Sequence, residues 1–397
     1  MNHHCPFKQV RYLKEVLSQG RSKLGFFIAA GCPVAIKVKD SEDRELPLIP
    51  DVGTLTKDIY HSLNGEDNGT PYGRLNVEIE KTGKLEPNIE EILSFSRALK
   101  SVSIGGDVRG FNEGELDQLE KDICTEIVKK VDISLPNKQT PYHDFSNWIT
   151  SIERQHPVEI FTTNYDLLLE EAFEDYLIPY FDGFVGARKS FFDLRAVEEN
   201  AIPKHWTRVW KIHGSLNWFI DEKDNVYRTN ETKPDGGAHF IYPSHLKYDQ
   251  SRKMPFIALS DRLGQFLRFR DSILVISGYS FNDQHINDVI YRSLKANPAA
   301  NVIALQFGPL EGYEQAISIA EKTPNLSVLA QDKAIVGTVL GKWKTSQNLE
   351  ESEKAVQISV KNSGSDLHEL LLGDFDKFGK LMKHLIGEIS SETSNEQ

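Results

Sequence analysis

Asn164, Asp166 and His213 are the residues of this chain best placed to carry out a reaction. They sit in two segments, Phe161-Thr162-Thr163-Asn164-Tyr165-Asp166 and Lys211-Ile212-His213-Gly214-Ser215-Leu216-Asn217-Trp218, each following a short apolar run that reads as a buried strand. Ligands of open α/β sheets bind at the carboxyl ends of the strands. The two segments would therefore bring an amide, a carboxylate and an imidazole to one crevice. An imidazole titrates near neutrality and can accept a proton. The amide can hold hydroxyls or an attacking water, and the carboxylate favours developing positive charge. Taken singly, each has a plainer reading: strand-end Asn and His-Gly-Ser form turns, and Asp166 can cap the helix that follows. Their occurrence as a pair is what points to chemistry.

The elements around them belong to an α/β protein. Leu24–Ala29 reads as a strand running into Ala29-Ala30-Gly31-Cys32-Pro33, the strand-then-small-residue layout by which backbone approaches a phosphate, though also that of a simple tight turn. Tyr12–Leu17 reads as a helix before it. From Thr54 to Trp148 strand-like runs vanish, and Ile89–Leu99, Glu113–Val131 and Tyr142–Ile152 carry apolar residues at helical spacing. Pro87-Asn88 before Ile89-Glu90-Glu91 marks a helix start. Sheet texture returns at Val158–Thr162, followed by a helix at Leu167–Tyr176, a strand at Val209–Ile212 and a hairpin within Asn217–Tyr227. A helix at Ser260–Phe269, a strand at Asp271–Ser277 ending in Gly278-Tyr279-Ser280, a helix at Asp283–Ala296 and a strand at Asn301–Phe307 complete the alternation. This pattern predicts a doubly wound, Rossmann-like parallel sheet. The expected division is a discontinuous catalytic domain (1–54 and 151–345), an inserted helical domain (55–150), and a linker with a C-terminal helical tail (346–397). In that tail Asn362-Ser363-Gly364-Ser365 reads as linker and Asp366 as a cap. Leu367, Leu371, Phe375, Phe378, Met382, Leu385, Ile386 and Ile389 make one apolar face, interrupted by Gly373 and Gly379, which either packs on its own domain or docks on a partner.

The bulk properties narrow the function. The 397-residue chain carries a formal net charge of −12, so it offers no overall field for a phosphate backbone. Nucleic acid is expected only through a complex. Lys204, His205 and Arg208, and Arg188, Lys189 and Arg195, read as solvated surface. The longest apolar run, Leu24–Ile36, is broken by Gly25, Gly31 and Pro33 and is too short to span a bilayer. No membrane contact and a cytoplasmic location are expected. The cysteines, Cys5, Cys32 and Cys124, form no C-x-x-C pair, so a four-thiolate zinc site is not expected. His3, His4 and Cys5 read as a frayed terminus, and Glu222 and Asp224 as a solvated turn.

Five segments together resemble the sirtuin-like superfamily, and more narrowly the sirtuin-like NADases of bacterial antiphage defence. Ala29-Ala30-Gly31-Cys32 resembles the family's Gly-Ala-Gly loop, and Ile49-Pro50-Asp51 its nicotinamide loop, with Val52-Gly53 standing where the family has Phe-Arg. Thr163-Asn164-Tyr165-Asp166 is similar to its Gln-Asn-hydrophobic-Asp, Ile212-His213-Gly214-Ser215 to its His-Gly-Ser, and Gly278-Tyr279-Ser280-Phe281 to its ribose and phosphate turn. The longer forms His-Gly-Ser-Leu-Asn-Trp and Gly-Tyr-Ser-Phe-x-Asp resemble the defence branch. The resemblance implies a sirtuin-type fold and NAD as substrate. His213, Asn164 and Asp166 would be catalytic, and Ala30, Gly31, Cys32, Asp51, Thr163, Gly278, Tyr279 and Ser280 would bind NAD. Ser280 would act from the start of a helix. The zinc-binding cysteines of protein-deacylating sirtuins are missing, so no zinc is expected and plain NAD cleavage is favoured over deacylation. Nicotinamide in NAD is already cationic and leaves as a neutral base, so the reaction needs no acid at the leaving group, unlike ordinary glycoside hydrolysis. The resemblance also implies a homo-oligomer and a HerA-like hexameric ATPase partner. The alternatives are a nuclease or nuclease-coupled subunit of a defence complex, a non-catalytic nucleotide-binding scaffold, and protein deacylation.

Overall fold

The computed structural model describes residues 2–64, 69–221, 223, 225–230, 238–241, 254–345, 353–364 and 367–392. Six parallel strands form its centre: β1 (Lys23–Ile28), β2 (Glu159–Thr162), β3 (Thr207–Lys211), β4 (Ser272–Ser277), β5 (Asn301–Leu305) and β6 (Leu326–Leu329). Their order in the sheet is β3-β2-β1-β4-β5-β6. The chain builds outward from β1 in one direction, returns to its other side at β4, and builds outward again. The sheet is therefore doubly wound, and its switch point lies between β1 and β4. Antiparallel strands β7 (Lys333–Val336) and β8 (Val339–Trp343) extend the β6 edge.

Every residue of β1 and β4 is buried, as expected for parallel strands covered on both faces. Alternation along β1 sends Phe26 and Ile28 into one core and Phe27 into the other. The first core is covered by helices Pro6–Ser18, Pro141–Thr150, Leu168–Asp175 and Phe375–Glu392, and continues into helices Val52–Asn64, Pro71–Glu80, Ile89–Val102 and Glu113–Val131. The second is covered by helices Phe256–Arg268, Gln284–Ala296 and Glu314–Ala320. Helix Ile89–Val102 starts where the sequence places it, because Asn88 and Glu91 form a reciprocal capping box.

Several expectations change. Arg208, read as solvated surface, is buried, its guanidinium donating to Asn200 Oδ1 and to the carbonyls of Ile202, Pro203 and Trp206. His3–His4 is not frayed: it pairs in parallel with Lys342 and Trp343 at the sheet edge. The residues read as linker make an antiparallel pair, Val360–Gly364 with Leu367–Leu370, so Leu367 belongs to a strand and the final helix begins at Phe375. Asp366, read as its cap, lies outside the described residues, as do Glu222 and Asp224. The apolar face of the final helix packs on its own domain: Phe378 and Met382 are fully buried, and Phe375 meets Tyr142 and Phe145 of helix Pro141–Thr150. Strands β7 and β8 were not foreseen. Their two-residue turn, Gly337-Thr338, places a threonine at φ +70°, and Thr lacks the Asn or Gly signature of such a hairpin. Among the described residues no helix is long and apolar enough to cross a membrane.

Candidate functional site

The carboxyl ends of β1 and β4 meet at two glycines. Gly31 N–H donates to Gly278 O at 2.9 Å, and a Cβ on Gly31 would lie 2.8 Å from Gly278 Cα. Gly278 has φ +70°, and a Cβ there would lie 2.7 Å from Cys32 N and 2.8 Å from its Sγ. Neither position has room for a side chain. Beside this junction opens a cavity of about 460 Å³, lined among others by Ala30, Gly31, Lys37, Asp51, Gly278, Tyr279, Ser280, Gln306, Phe307 and Asp374. A second cavity, of about 70 Å³, shares Ala30 and Val52 with it and is lined by Pro50, Glu90, Thr163, Asn164, Tyr165 and Asp166.

The two segments singled out from the sequence lie side by side. Ile212 N–H donates to Thr162 O at 2.8 Å and Leu216 N–H to Tyr165 O at 3.0 Å, so the turns after β2 and β3 run together. Asn164 is buried, with its amide beside the Asp166 carboxyl and the Tyr142 phenol. Asp166 accepts from Leu168 N–H at 3.1 Å, but it is not the helix cap: that position is Leu167, which makes no side-chain capping bond, and Asp166 stands one residue before it. Burial pushes its carboxyl up to about 6, with the Lys211 ammonium pulling the other way. Lys211 pairs with Glu170 at 2.8 Å and donates to the Asp166 carbonyl.

His213 sits in the two-residue junction between β3 and strand Gly214–Ile220, which begins a separate antiparallel sheet. Its Nε2 lies 3.2 Å from Asp283 Oδ2, an ion-pair approach off the line of a good hydrogen bond, since that oxygen lacks a hydrogen-bond partner of proper geometry. His213 and Asp283 are 7% and 8% exposed, so the pair is screened little by water. Burial lowers the basicity of His213, but the facing Asp283 carboxylate outweighs it and holds the imidazole above its ordinary value. Asp283 is held by His285 N–H at 2.8 Å and Ile286 N–H at 3.2 Å as the cap of helix Gln284–Ala296. Despite burial, His213 and these N–H groups bring its carboxyl down to about 2. His213 Nδ1 has no hydrogen-bond partner among the described residues. With Nε2–H toward the carboxylate, Nδ1 is the nitrogen left to take a proton.

The other residues take varied places. Thr163 lines the smaller cavity and Ala30 both. Ser280 is exposed on the larger cavity but reaches it from a loop, since the helix begins only after Asp283. Tyr279 is buried, and its hydroxyl donates toward Asn287 Oδ1 at 2.9 Å. Asp51 accepts from Thr54 N–H and Thr54 Oγ1 at the start of helix Val52–Asn64. Cys32 lines neither cavity; its thiol is buried against Ser277 and pushed up to about 12 by that burial. Asp283 was given no role from the sequence, although it closes the Gly-Tyr-Ser-Phe-x-Asp motif. The signal was the motif's final acid, and the contact with His213 required the fold. No group of three or more His, Cys, Asp or Glu positioned for a metal occurs among the described residues.

Residues 158–329 match the family described as the SIR2-like domain. They contain β2 to β6, Asn164, Asp166, His213 and Asp283. No curated protein matches the chain. Among solved structures it is similar to a mutant Sir2 homologue in complex with ADP ribose, with 12% identity and a TM-score of 0.40, over 97% of this chain and 97% of that one. A Sir2 structure from work on the mechanism and regulation of these enzymes has 13% identity and a TM-score of 0.35, over 76% and 86%. A Sir2 homologue–NAD complex has 12% identity and a TM-score of 0.32, over 79% and 89%. The stretch similar to the SIR2-like domain thus holds five of the six central strands of the doubly wound sheet.

Proposed function

We propose that the chain is an NAD glycohydrolase that releases nicotinamide and ADP-ribose. The observation that carries this reading is the side-by-side placement of Asn164 and His213 at neighbouring strand ends, with Asn164 on the small cavity that shares Ala30 and Val52 with the switch-point cavity; His213 lines neither cavity. Within a SIR2-like domain this arrangement suits a dinucleotide with its diphosphate at Gly31 and its nicotinamide ribose toward Asn164. The C1′–N bond breaks with its electron pair going to nicotinamide, which leaves neutral. Water then adds to C1′ and gives its proton to His213 Nδ1, and Asp283 stabilises the resulting imidazolium. Asn164 orients the water or the ribose hydroxyls. Asp166, in its ionised form, favours the positive charge that develops on the ribose.

The proposal extends to antiphage defence by NAD depletion, in a homo-oligomer partnered by a HerA-like ATPase. This part is supported by the resemblance of Ile212–Trp218 and Gly278–Asp283 to the defence branch, and by fold-level analogy. The test is an NAD-consumption assay at several protein concentrations, with and without a co-purifying partner, on wild-type protein and His213→Ala. Equal amounts of nicotinamide and ADP-ribose from wild type, lost in the variant, are expected. Nicotinamide release retained by the variant sinks the mechanism. DNA cleavage that survives the change would support the nuclease alternative.

A further inference from the structure

The ends of β3, β2, β1, β4 and β5 follow one another across the sheet. Four strand spacings of about 4.8 Å separate the first from the last, roughly 19 Å, the scale of an extended dinucleotide. His213 and Asn164 occupy one end of this row and the two glycines its middle. Gln306 and Phe307, directly after β5, occupy the other end. A dinucleotide with its nicotinamide ribose at Asn164 and its diphosphate at Gly31 therefore lays its second nucleoside at Gln306 and Phe307. Phe307 is 68% exposed and lines the larger cavity, offering a flat apolar face to a base.

That end is finished by a segment far outside the SIR2-like match. Gly373 packs so tightly on the chain after β5 that a Cβ there would lie 2.0 Å from Gln306 O. The next residue, Asp374, lines the cavity. One of its oxygens is fixed, Oδ1 accepting from Asp376 N–H at 2.9 Å. No cation pairs with it among the described residues. The other charged groups lining this cavity, Lys37 and Asp51, come from the chain that follows the Gly31 turn. A carboxylate at a nucleoside site accepts a ribose 2′-hydroxyl and repels a 2′-phosphate.

We propose that Asp374 accepts a hydrogen bond from the 2′-hydroxyl of the adenosine ribose and so selects NAD over its 2′-phosphorylated counterpart. The inference rests on the NAD reading above. The test is calorimetric titration of the full chain with ADP-ribose and with 2′-phospho-ADP-ribose, for wild type and Asp374→Asn. Asn keeps an oxygen for the Asp376 N–H, and a thermal melt checks that the fold is kept. Wild type is expected to prefer ADP-ribose by about tenfold or more, and the variant by less than about threefold. If wild type binds ADP-ribose without preference, or the preference survives in the variant, the inference is overturned and the NAD reading stands. If wild type binds neither ligand, the NAD reading itself fails and the inference falls with it.

Discussion

Both ends of the parallel sheet bury charge, and they treat it differently. At the amino ends of the strands, Glu159 is fully buried with both carboxylate oxygens engaged. Lys23 Nζ lies at 2.8 Å, Arg262 Nη2 at 3.0 and 3.1 Å, and Trp210 Nε1 donates at 2.8 Å. Burial would raise this carboxyl, but Lys23 and Arg262 outweigh it and keep it ionised. At the carboxyl ends, His213 keeps an orphan nitrogen, Asp283 faces it off the ideal line, and Asp166 sits half-compensated at about 6. A buried charge with every lone pair occupied has nothing left to offer a ligand. One with a vacancy costs stability and is where chemistry can enter.

The contrast can be broken experimentally. His213→Ala should lower nicotinamide release by about 10²–10⁴-fold, a loss per folded molecule that its change in melting temperature does not account for; a large loss of stability with activity retained would invert the comparison. Glu159→Gln should do the reverse. Leaving two buried cations short of their counter-charge costs about 3–5 kcal/mol, read by urea denaturation, with turnover per folded molecule kept. The Glu159 carboxyl is lowered in the folded state, so its contribution is present above the ordinary carboxylate range and disappears as pH falls through the folded value.

Asp283→Asn sharpens the picture on the carboxyl side. Its effect on rate should be on the order of tenfold, with the acidic limb of the pH profile moved to lower pH, because His213 loses the charge that holds its proton. The linked stability has a defined window. His213, raised, contributes fully below about pH 6.5 and loses its contribution as pH rises through its folded value; Asp283, at about 2, contributes above the ordinary range and loses it in acid. Denaturation of wild type should therefore show a contribution across mildly acidic pH that the variant lacks. An unshifted pH limb would remove Asp283 from any role through His213. The smallest effect on turnover is expected from Gly373→Ala, which must push the C-terminal segment off Gln306. It should cost about 1–3 kcal/mol and weaken ADP-ribose binding, while release from bound NAD changes little.

The alternation of apolar runs and helical spacing made the parallel strands legible, because β1 and β4 are buried on both faces and read as unbroken apolar stretches. Asn164, Asp166 and His213 could be named because short motifs flank each strand end. What could not be read were the partnerships made across the chain. Asp283 reaches His213 from beyond a different strand, and Gly373 and Asp374 reach the cavity from a stretch whose apolar residues read as part of the final helix. The Ser and Gly content of residues 362–364 hid a strand whose only apolar residue is Val360 and whose pairing partner, Leu367–Leu370, supplies two leucines.

The C-terminal wall also imposes an order on synthesis. A ribosome delivers the Gly31 turn about 340 residues before Gly373, and all the strand-end residues of the site come out in between. A chain interrupted after β8 would hold Asn164, His213 and both glycines yet have a cavity open on the Gln306 side. Closure of that side therefore waits on translation of the final helix region.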